Sequence, residues 1–285
     1  MNILLTGGLG HIGSYLMKSI NPSVVVDDLS TQRYHSLREF KNTFINCKFQ
    51  SLTKEYLKQF DVIIHLAAIT NAEGSFNNVK EVEQTNYLDT VDLINKLDDQ
   101  LFIFPSSTSV YGSNLDVMCE NSIVNPQSPY ANTKFQVEKF LKTSDKNYII
   151  FRLGTIFGTS PGMRFHTAIN KFCYQAIINE PLTVWQENRF MKRPYLGLND
   201  ASRAFYAAIK NRLPYNHIYN VVSENVVLDD VLRTIMKYKP ITINQVNTPL
   251  LNQYSYIVSN DKIKEYIILT DKVKDGIRDT FRWFK

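Results

Sequence analysis

The chain has 285 residues, of which 44% are hydrophobic and 12% aromatic, enough to bury the core of one large domain or one and a half. Its formal net charge of +5 comes from basic and acidic residues spread along the whole length, with no basic block of the kind that marks a nucleic-acid-binding arm. The N-terminal segment does not resemble a signal peptide and no apolar run approaches the length of a membrane span, so we expect a cytoplasmic globular protein without a nucleic-acid or membrane partner.

The chain begins with a short apolar strand, a glycine-rich turn and a helix. The sequence predicts the strand over Asn2–Thr6 and the helix over His11–Ile20, with Gly7, Gly10 and Gly13 in the turn and the first helical turn. Glycine permits the tight turn, the close approach of a pyrophosphate and the close packing of helix on strand. The helix N-terminus offers free N–H groups and the positive end of its dipole to an anion. This order of elements predicts a dinucleotide phosphate site.

A second apolar strand, Val24–Val26, ends at Asp27, twenty residues after Gly7. A carboxylate at this position can accept hydrogen bonds from both ribose hydroxyls of an adenosine, and it repels a 2′-phosphate. The pattern therefore predicts NAD rather than NADP as the cofactor.

The three cysteines, Cys47, Cys119 and Cys173, are far apart and have no metal-ligand spacing. We therefore expect buried or neutral free thiols in a reducing compartment, and no metal site.

Strands and helices alternate along the sequence from Asp27 to residue 153. We predict a short helix at His35–Phe40, strands at Asn46–Gln50, Asp61–Ala68, Gln100–Pro105 and Tyr148–Leu153, and longer helices at Asn78–Leu97 and Tyr130–Lys142. Such alternation with right-handed crossovers gives an α/β fold with a doubly wound parallel sheet, the Rossmann fold. Ligands of such sheets bind at the carboxyl ends of the strands.

After Gly154 the alternation loosens. We predict helices at Arg164–Ile178, Asn199–Lys210, Leu228–Tyr238 and Asp271–Phe284, and strands at Leu182–Trp185, Pro194–Leu198, His217–Val222 and Ile241–Val246. No linker separates the two halves. We therefore expect an NAD-binding domain over residues 1–153 and a smaller α/β substrate-binding portion over residues 154–285, with interleaved elements.

Three residues in the first half could carry chemistry. Tyr130 and Lys134 lie four positions apart on one face of a predicted helix. A nearby ammonium lowers the pKa of a phenol from its ordinary value of about 10, which makes the tyrosine usable as a general acid or base. Ser107 follows a predicted strand, so its hydroxyl can face the same ligand and orient a substrate oxygen. Taken alone, the same residues also fit an ordinary helix surface and a polar turn.

Together these motifs resemble those of the extended short-chain dehydrogenases/reductases of the NAD-dependent epimerase/dehydratase family, the group that includes UDP-glucose 4-epimerase. The resemblance extends over nearly the whole chain. It rests on the segments Thr6–Gly13, Val26–Ser30, His65–Ala68, Ser106–Gly112, Pro129–Lys134, Arg152–Gly158 and Gly276–Thr280.

The resemblance implies roles for individual residues. The residues that would contact the cofactor are Gly7, Gly10, His11, Ile12, Gly13, Asp27, Leu66, Ala67, Ala68 and Thr85. Lys134 would bond the nicotinamide ribose, Tyr130 would move the proton, and Ser107 would orient the substrate. Arg193 matches a family arginine that binds the nucleotide diphosphate of the substrate.

The chain departs from the family pattern at three places. Ser51 stands where many relatives have an aspartate at the adenine, and no arginine occurs between Arg233 and Arg278, where the family has a later phosphate-binding arginine. Sugar-nucleotide 4,6-dehydratases and decarboxylases carry acidic residues in the tract that corresponds to Thr108–Val110. Because this chain has no carboxylate there, we do not expect elimination or decarboxylation.

The resemblance thus implies an NAD-dependent nucleotide-sugar 4-epimerase that oxidises C4 transiently with Tyr130 as general base and acid. One alternative is a nucleotide-sugar ketoreductase or dehydrogenase, which would share the motifs but exchange its cofactor. A non-catalytic dinucleotide-sensing protein is a weaker alternative, because Tyr130 and its partners are intact. Arg164 and His166 could contact the sugar or phosphate or form a surface patch, and relatives often form homodimers through the helices at Asn78–Leu97 and Tyr130–Lys142.

Overall fold

The fold is built on a seven-stranded parallel sheet with helices on both faces. A computed structural model describes residues 1–38, 40–114, 116–185, 189–246 and 256–285. The strands are β1 (Ile3–Thr6), β2 (Val24–Asp27), β3 (Thr43–Asn46), β4 (Val62–His65), β5 (Leu101–Ser107), β6 (Val117–Met118), β7 (Tyr148–Leu153), β8 (Thr155–Phe157), β9 (Leu182–Trp185), β10 (Lys192–Gly197), β11 (His217–Val221), β12 (Glu224–Val227), β13 (Ile243–Val246) and β14 (Ile257–Val258). The helices are α1 (His11–Ile20), α2 (Lys54–Leu57), α3 (Val79–Glu83), α4 (Asp89–Asn95), α5 (Pro129–Thr143), α6 (Ala168–Ile177), α7 (Leu198–Ile209), α8 (Leu228–Met236), α9 (Asp261–Lys264) and α10 (Val273–Trp283).

The large sheet has the order β3-β2-β1-β4-β5-β7-β11, and its neighbouring strands are parallel. Leu5 in β1 pairs with Val25 in β2 on one side and with Ile64 in β4 on the other. The chain therefore turns outward from β1 to β2 and β3, and then returns to the opposite side of β1. A crevice opens at the carboxyl ends of the strands where the direction reverses, and the glycine turn after β1 lies there.

Apolar layers cover both faces of this sheet, which explains why its central strands read as continuous hydrophobic runs. On one face α1 and α7 contribute Leu16, Met17 and Phe205 to a buried cluster. On the other face α4 and α5 contribute Leu93 and Val137. The doubly wound parallel α/β fold that the sequence predicts is confirmed.

The C-terminal half adds smaller elements and one strand of the large sheet. A third buried cluster joins α6, α8 and α10, and a three-stranded sheet has the order β12-β10-β8. The edge strand β11 lies beside β7 in the large sheet. Elements after residue 154 are thus interleaved with those before it.

Local sequence features explain where two site-bearing helices begin and end. α1 ends where Asn21 adopts a left-handed conformation with φ 48°, directly before Pro22. α5 begins with Pro129, and the Ser128 hydroxyl caps it by accepting a hydrogen bond from the amide of Ala131 at 3.2 Å.

Several predicted elements differ from the observed ones. In place of the short helix predicted at His35–Phe40, the structure has a 3₁₀ turn over Tyr34–Leu37. The strand predicted at Asn46–Gln50 is wrong: the edge strand is β3, and Phe49 enters the core from a 3₁₀ turn, with its ring edge-on to His65 at 4.7 Å. The helix predicted at Asn78–Leu97 is interrupted by one π-helical turn, Gln84–Leu88. The helix predicted from Arg164 begins only at Ala168.

Several remaining features bear on the sequence-based expectations. The cysteines are free, with Cys173 buried, Cys47 half-buried and Cys119 exposed. Within the described residues, no group of three or more His, Cys, Asp or Glu side chains could hold a metal ion. No helix in the described part of the chain has the length and apolar character that crossing a membrane requires.

Candidate active site

Two of the three motif glycines are required by the packing of the turn itself. Gly7 has φ +66°, and a Cβ atom there would lie 2.5 Å from the amide nitrogen of Ala67 in the segment after β4. A Cβ atom on Gly13 would lie 2.5 Å from the carbonyl oxygen of Gly8. Any larger residue at either position would push α1 or the neighbouring strand away.

Gly10 is different, because the fold leaves almost enough room for a side chain. The nearest atom to a Cβ there would be the carbonyl oxygen of Gly7 at 3.3 Å. Gly10 lines the main cavity and immediately precedes α1, whose first turn has no side-chain cap. The N–H groups of that turn are therefore oriented to receive an anion, and a glycine at this position leaves room for the anion to approach.

Asp27 is bound to the glycine turn. One carboxylate oxygen accepts a hydrogen bond from the amide of Leu9 at 3.0 Å, and the other accepts one from the amide of Leu29 at 3.0 Å. Burial raises the pKa of Asp27, and these two hydrogen bonds oppose the shift. The neighbouring Asp28 is exposed and accepts a hydrogen bond from the amide of Ser30 at 3.0 Å. Asp27 thus lies beside the glycine turn and is not among the described residues that line the cavity.

The side chain of His11 is occupied within the protein. Its Nδ1 lies 2.7 Å from the Ser160 hydroxyl and its Nε2 lies 3.2 Å from the side-chain Nδ2 of Asn170. Burial, reinforced by Arg164, lowers the pKa of His11 to about 3, so the ring is neutral. Its side chain joins the turn to the C-terminal half, and both His11 and Ile12 line the cavity.

The predicted contacts after β4 divide into three groups. Leu66 and Ala68 line the cavity, whereas Ala67 packs against Gly7. Thr85 lies in the π-helical turn and is not among the described residues that line the cavity. Its neighbour Asn86 is buried instead and exchanges two hydrogen bonds of 2.8 Å with the backbone of Ile69, which fixes the loop after β4.

The structure brings Ser107, Tyr130 and Lys134 together at the cavity wall. Ser107 ends β5, its hydroxyl accepts from the Ser109 hydroxyl at 2.8 Å, and it acts to lower the pKa of the nearby Tyr130 phenol. The ammonium of Lys134 lies 5.9 Å from the centre of the Tyr130 ring and 4.7 Å from that of Phe104. A strand end and the first two turns of α5 therefore supply the three groups.

The electrostatics of this trio differ from the sequence-based expectation. Burial raises the pKa of Tyr130 to about 12, opposed by the positive charge of Arg164 and by the Ser107 hydrogen bond. Burial lowers the pKa of Lys134 to about 7, with Glu138 opposing the shift. The expectation that Lys134 lowers the pKa of the phenol toward neutrality is therefore wrong for this structure, because burial dominates and the groups that oppose it are Arg164 and Ser107.

A buried ion pair between Glu138 and Arg152 lies next to the Ser107, Tyr130 and Lys134 trio. Glu138, one turn beyond Lys134 on α5, accepts from the Nη2 of Arg152 at 2.6 Å and from the Ser106 hydroxyl at 2.5 Å. Arg152 also donates to the Tyr111 hydroxyl at 2.9 Å. The two side chains of the pair are 2% and 0% exposed, so this network joins α5, β5 and β7 in a dry environment.

The cavity itself has a volume of about 750 Å³ and is predominantly basic. The described residues along its wall include the cationic types Lys134, Arg164, Lys171 and Arg193 and one carboxylate, the exposed Glu73. Cationic side chains thus outnumber carboxylates along this wall. Such a cavity favours an anionic ligand.

The wall near Arg193 carries unpartnered donors. The Tyr195 hydroxyl and the indole nitrogen of Trp185 are buried without a hydrogen-bond partner among the described residues. The Tyr256 hydroxyl oxygen lies 3.2 Å from that of Thr108. Sequence reasoning selected Arg193 but missed Trp185, Tyr195 and Tyr256, because aromatic residues are frequent in this chain and no spacing marks these three.

The chain belongs to the NAD-dependent epimerase/dehydratase family, whose model matches residues 3–221. An uncharacterized UDP-glucose epimerase of Bacillus subtilis is 27% identical over 234 residues, which are 73% of this chain and 72% of the relative. A putative UDP-glucose 4-epimerase of Methanocaldococcus jannaschii is 25% identical over 254 residues, 83% and 82% of the two chains.

Solved structures share the fold at low identity. A UDP-glucuronic acid 4-epimerase from Bacillus cereus, in complex with UDP-glucuronic acid and NAD, superposes with a TM-score of 0.88 at 23% identity, covering 99% of this chain and 98% of that one. A dTDP-glucose 4,6-dehydratase from Streptomyces venezuelae with NAD bound has a TM-score of 0.90 at 20% identity, covering 100% and 97%. At these identities the likeness establishes the fold.

Membership of this family makes NAD the cofactor, and the glycine turn fits it. Gly10 leaves the start of α1 open to a pyrophosphate, and Asp27 offers a carboxylate next to the turn.

Proposed function

We propose that this protein is an NAD-dependent nucleotide-sugar 4-epimerase. The observation that carries the proposal is the meeting of the Ser107, Tyr130 and Lys134 side chains, in a basic cavity that also reaches the glycine turn. The epimerases among the relatives and solved structures support the same reaction. A cavity with several cationic side chains suits the diphosphate of a nucleotide sugar.

The proposed cofactor contacts follow from the site. The backbone at Gly7, Gly10 and Gly13 would receive the pyrophosphate, Asp27 the adenosine ribose, and Lys134 the nicotinamide ribose. Bound NAD supplies a hydride acceptor that can also return the hydride.

Tyr130 would act as the proton carrier at the sugar. Its phenolate would take the proton of the C4 hydroxyl, and the resulting phenol would later return it. Ser107 would orient the same substrate oxygen. Arg164, the cation that most opposes the raised pKa of Tyr130, would favour the ionised phenol.

The tract after Ser107 argues against dehydration, the reaction of several relatives. Thr108 is hydrogen-bonded to Tyr256, Ser109 is hydrogen-bonded to Ser107, and Val110 is fully buried in an apolar cluster. None of these side chains can serve as a carboxylic acid or carboxylate at the carbon next to C4. We therefore propose oxidation and reduction at a single carbon.

Conversion of a nucleotide sugar without net redox change tests this function. Purified protein incubated with UDP-glucose or UDP-N-acetylglucosamine should form the C4 epimer, while absorbance from NADH stays flat. A nucleotide-sugar ketoreductase would instead consume NADH in proportion to product. A dinucleotide-sensing protein would bind NAD and convert neither sugar.

Tyr130→Phe should lower kcat by about 100- to 10,000-fold, the usual contribution of a positioned acid or base. NAD affinity should remain, because the hydroxyl serves proton transfer. Steady-state kinetics and NAD titration of this variant provide the check, and Tyr206→Phe, a change at an exposed tyrosine on α7, is the control. If Tyr130→Phe kept most of the activity, the base would lie elsewhere.

We also propose a homodimer formed through α3, α4 and α5. These helices pack against one another, and Val79 and Leu88 on this side are exposed apolar residues.

A further inference from the structure

Two segments distant in sequence are fastened to the glycine turn. The Ser36 hydroxyl donates to the carbonyl of Leu9 at 3.0 Å. The Ser160 hydroxyl donates to the carbonyl of His11 at 2.9 Å, and the amide of Gly162 donates to the Ser14 hydroxyl at 2.9 Å. Each segment carries an arginine, Arg33 in the first and Arg164 in the second.

The contact of the second segment with the turn is close enough to require glycine. A Cβ atom on Gly162 would lie 2.2 Å from the carbonyl oxygen of Leu9 and 2.5 Å from that of Gly10. The segment from Ser160 to Arg164 therefore lies directly on the phosphate turn. The chain up to Gly162 is thus bonded to the turn, and α6 begins only at Ala168.

Both arginines have nitrogen atoms that are buried and unpartnered. The Nη1 of Arg33 and the Nε of Arg164 are shielded from solvent and make no hydrogen bond to the described residues. A buried donor without an acceptor is costly, and a buried charge more so. These atoms therefore require an acceptor that the protein itself does not provide.

The two guanidinium groups also repel each other. Burial and then Arg33 lower the pKa of Arg164 to about 10, while Tyr130 and Asp27 oppose the shift. Burial likewise lowers the pKa of Arg33, with Asp27 opposing. The positive charges of both also act on His11 at the start of α1. An anion at this helix terminus would relieve the repulsion and supply the missing acceptors.

We propose that Arg33 and Arg164 bind a nucleotide pyrophosphate from the side opposite the α1 N-terminus. The anion would be enclosed between backbone N–H groups of the turn and two guanidinium groups that present paired donors to phosphate oxygens. The chemistry is that of a diphosphate joining two groups, which both the dinucleotide and a nucleotide sugar contain. The proposal rests on the proposed function only in that both place a nucleotide in this cavity.

Binding to the full chain freed of nucleotide tests the assignment. ADP-ribose, UDP and adenosine are titrated calorimetrically into the wild type, Arg33→Gln and Arg164→Gln. ADP-ribose carries the pyrophosphate of the dinucleotide, UDP carries that of a nucleotide sugar, and adenosine carries none. Arg212→Gln, a change of equal charge at an exposed arginine beside Tyr206, is the matched control.

We expect Arg33→Gln and Arg164→Gln each to weaken one pyrophosphate probe by about 10- to 100-fold, the effect of losing charge-assisted hydrogen bonds. Adenosine binding and the control should be unchanged. Loss confined to ADP-ribose assigns the arginines to the cofactor, and loss confined to UDP assigns them to the substrate. Unchanged affinity for both probes overturns the proposal, whereas a lack of epimerase activity would leave these titrations unaffected.

Thermal unfolding of the ligand-free protein tests whether Arg164 has only a structural role. Because the buried Nε of Arg164 has no hydrogen-bond partner, Arg164→Gln should unfold at the wild-type temperature or above it. A marked fall in the unfolding temperature, together with equal weakening of adenosine and ADP-ribose, would contradict a pyrophosphate role. Arg164→Lys keeps the charge without the paired donors and should recover part of the ADP-ribose affinity.

Discussion

The glycines of the phosphate turn separate into two roles at the scale of single residues. A methyl group on Gly7 or Gly13 would lie only 2.5 Å from a backbone atom, so both residues are needed for the turn to close. A methyl group on Gly10 would lie 3.3 Å from its nearest neighbour, and Gly10 otherwise borders the cavity. The sequence motif treats the three alike, whereas the structure distinguishes folding from binding.

Gly10→Ala should therefore fold with a loss of unfolding free energy below about 1 kcal/mol, since the new methyl needs only a small adjustment. NAD affinity should fall by at least about tenfold, because the methyl group occupies the approach to the helix terminus. Gly13→Ala, the comparison variant, should lose stability as well. Denaturant unfolding measures the stability of the two variants, and NAD titration measures their cofactor affinity. Wild-type NAD affinity in Gly10→Ala would refute the distinction between glycines needed for folding and a glycine needed for binding.

Lys134 gives a pH dependence whose sign follows from its environment. Burial lowers its pKa from 10.5 to about 7, so between these values the unfolded chain binds more protons than the folded chain. The unfolding free energy contributed by this group therefore rises with pH across that window, and the penalty is complete below about pH 7. The folded state is therefore least stable below about pH 7, where Lys134 must be buried in its charged form.

Lys134→Met should remove this dependence while keeping a similar shape. We expect the variant to be more stable than the wild type at about pH 6, with the difference shrinking toward about pH 9. Chemical denaturation of NAD-free protein at both values gives the difference directly. A difference that stays constant with pH would show that Lys134 does not change its proton affinity on folding.

At the scale of elements, α5 carries the site and its support on one face. Tyr130 and Lys134 face the cavity, and Glu138 continues the same line into the core, where it pairs with Arg152 on β7. The ion pair thus ties the helix to the strand next to β5, which carries Ser107. The geometry of the trio depends on a contact that no sequence motif for catalysis includes.

Glu138→Leu should lower the unfolding free energy by about 3–5 kcal/mol, because it leaves the Arg152 charge buried and unpaired. The double variant Glu138→Leu with Arg152→Met should recover much of this loss. Lys58→Met, which breaks an exposed ion pair with Glu55, is the control and should change stability by less than about 1 kcal/mol. A loss below about 1 kcal/mol in Glu138→Leu would mean that water reaches the pair.

Elements with a clear local signal were predictable from the sequence. β7 and β9 coincide with their predicted ranges, and α1 begins and ends as predicted because a glycine precedes it and Asn21-Pro22 follows it. Elements set by distant contacts were missed. Phe49 reads as part of a strand but packs from a turn against His65, and Arg164 reads as helical but belongs to a segment held by the phosphate turn.

The candidate site was predictable to a similar extent. Ser107, Tyr130 and Lys134 could be selected because their strand and helix had recognisable patterns. Arg33 could not be selected, and for Arg164 the sequence left a sugar or phosphate contact and a surface patch both open, since the positions of the two arginines depend on hydrogen bonds that join the turn to segments 27 and 149 residues away in sequence. The raised pKa of Tyr130 could not be predicted from the sequence either, because it depends on burial rather than on the spacing to Lys134.

At the scale of the whole molecule, the reversal of strand order beside β1 creates the crevice, and the C-terminal half closes over it. Residues of both halves line the cavity, from Gly10 and Ser107 to Arg164 and Arg193. The His11 side chain joins the halves through Ser160 and Asn170. The division into a cofactor domain over residues 1–153 and a substrate portion over residues 154–285 remains our proposal.

The central claim is that hydrogen leaves C4 of a nucleotide sugar and returns to the same carbon within one active site. A substrate labelled with deuterium at C4 tests it most directly. We expect the epimeric product to retain the label at C4, with no NADH added or accumulated. Product that has lost the deuterium, or that forms only in proportion to NADH consumed, would contradict the epimerase account.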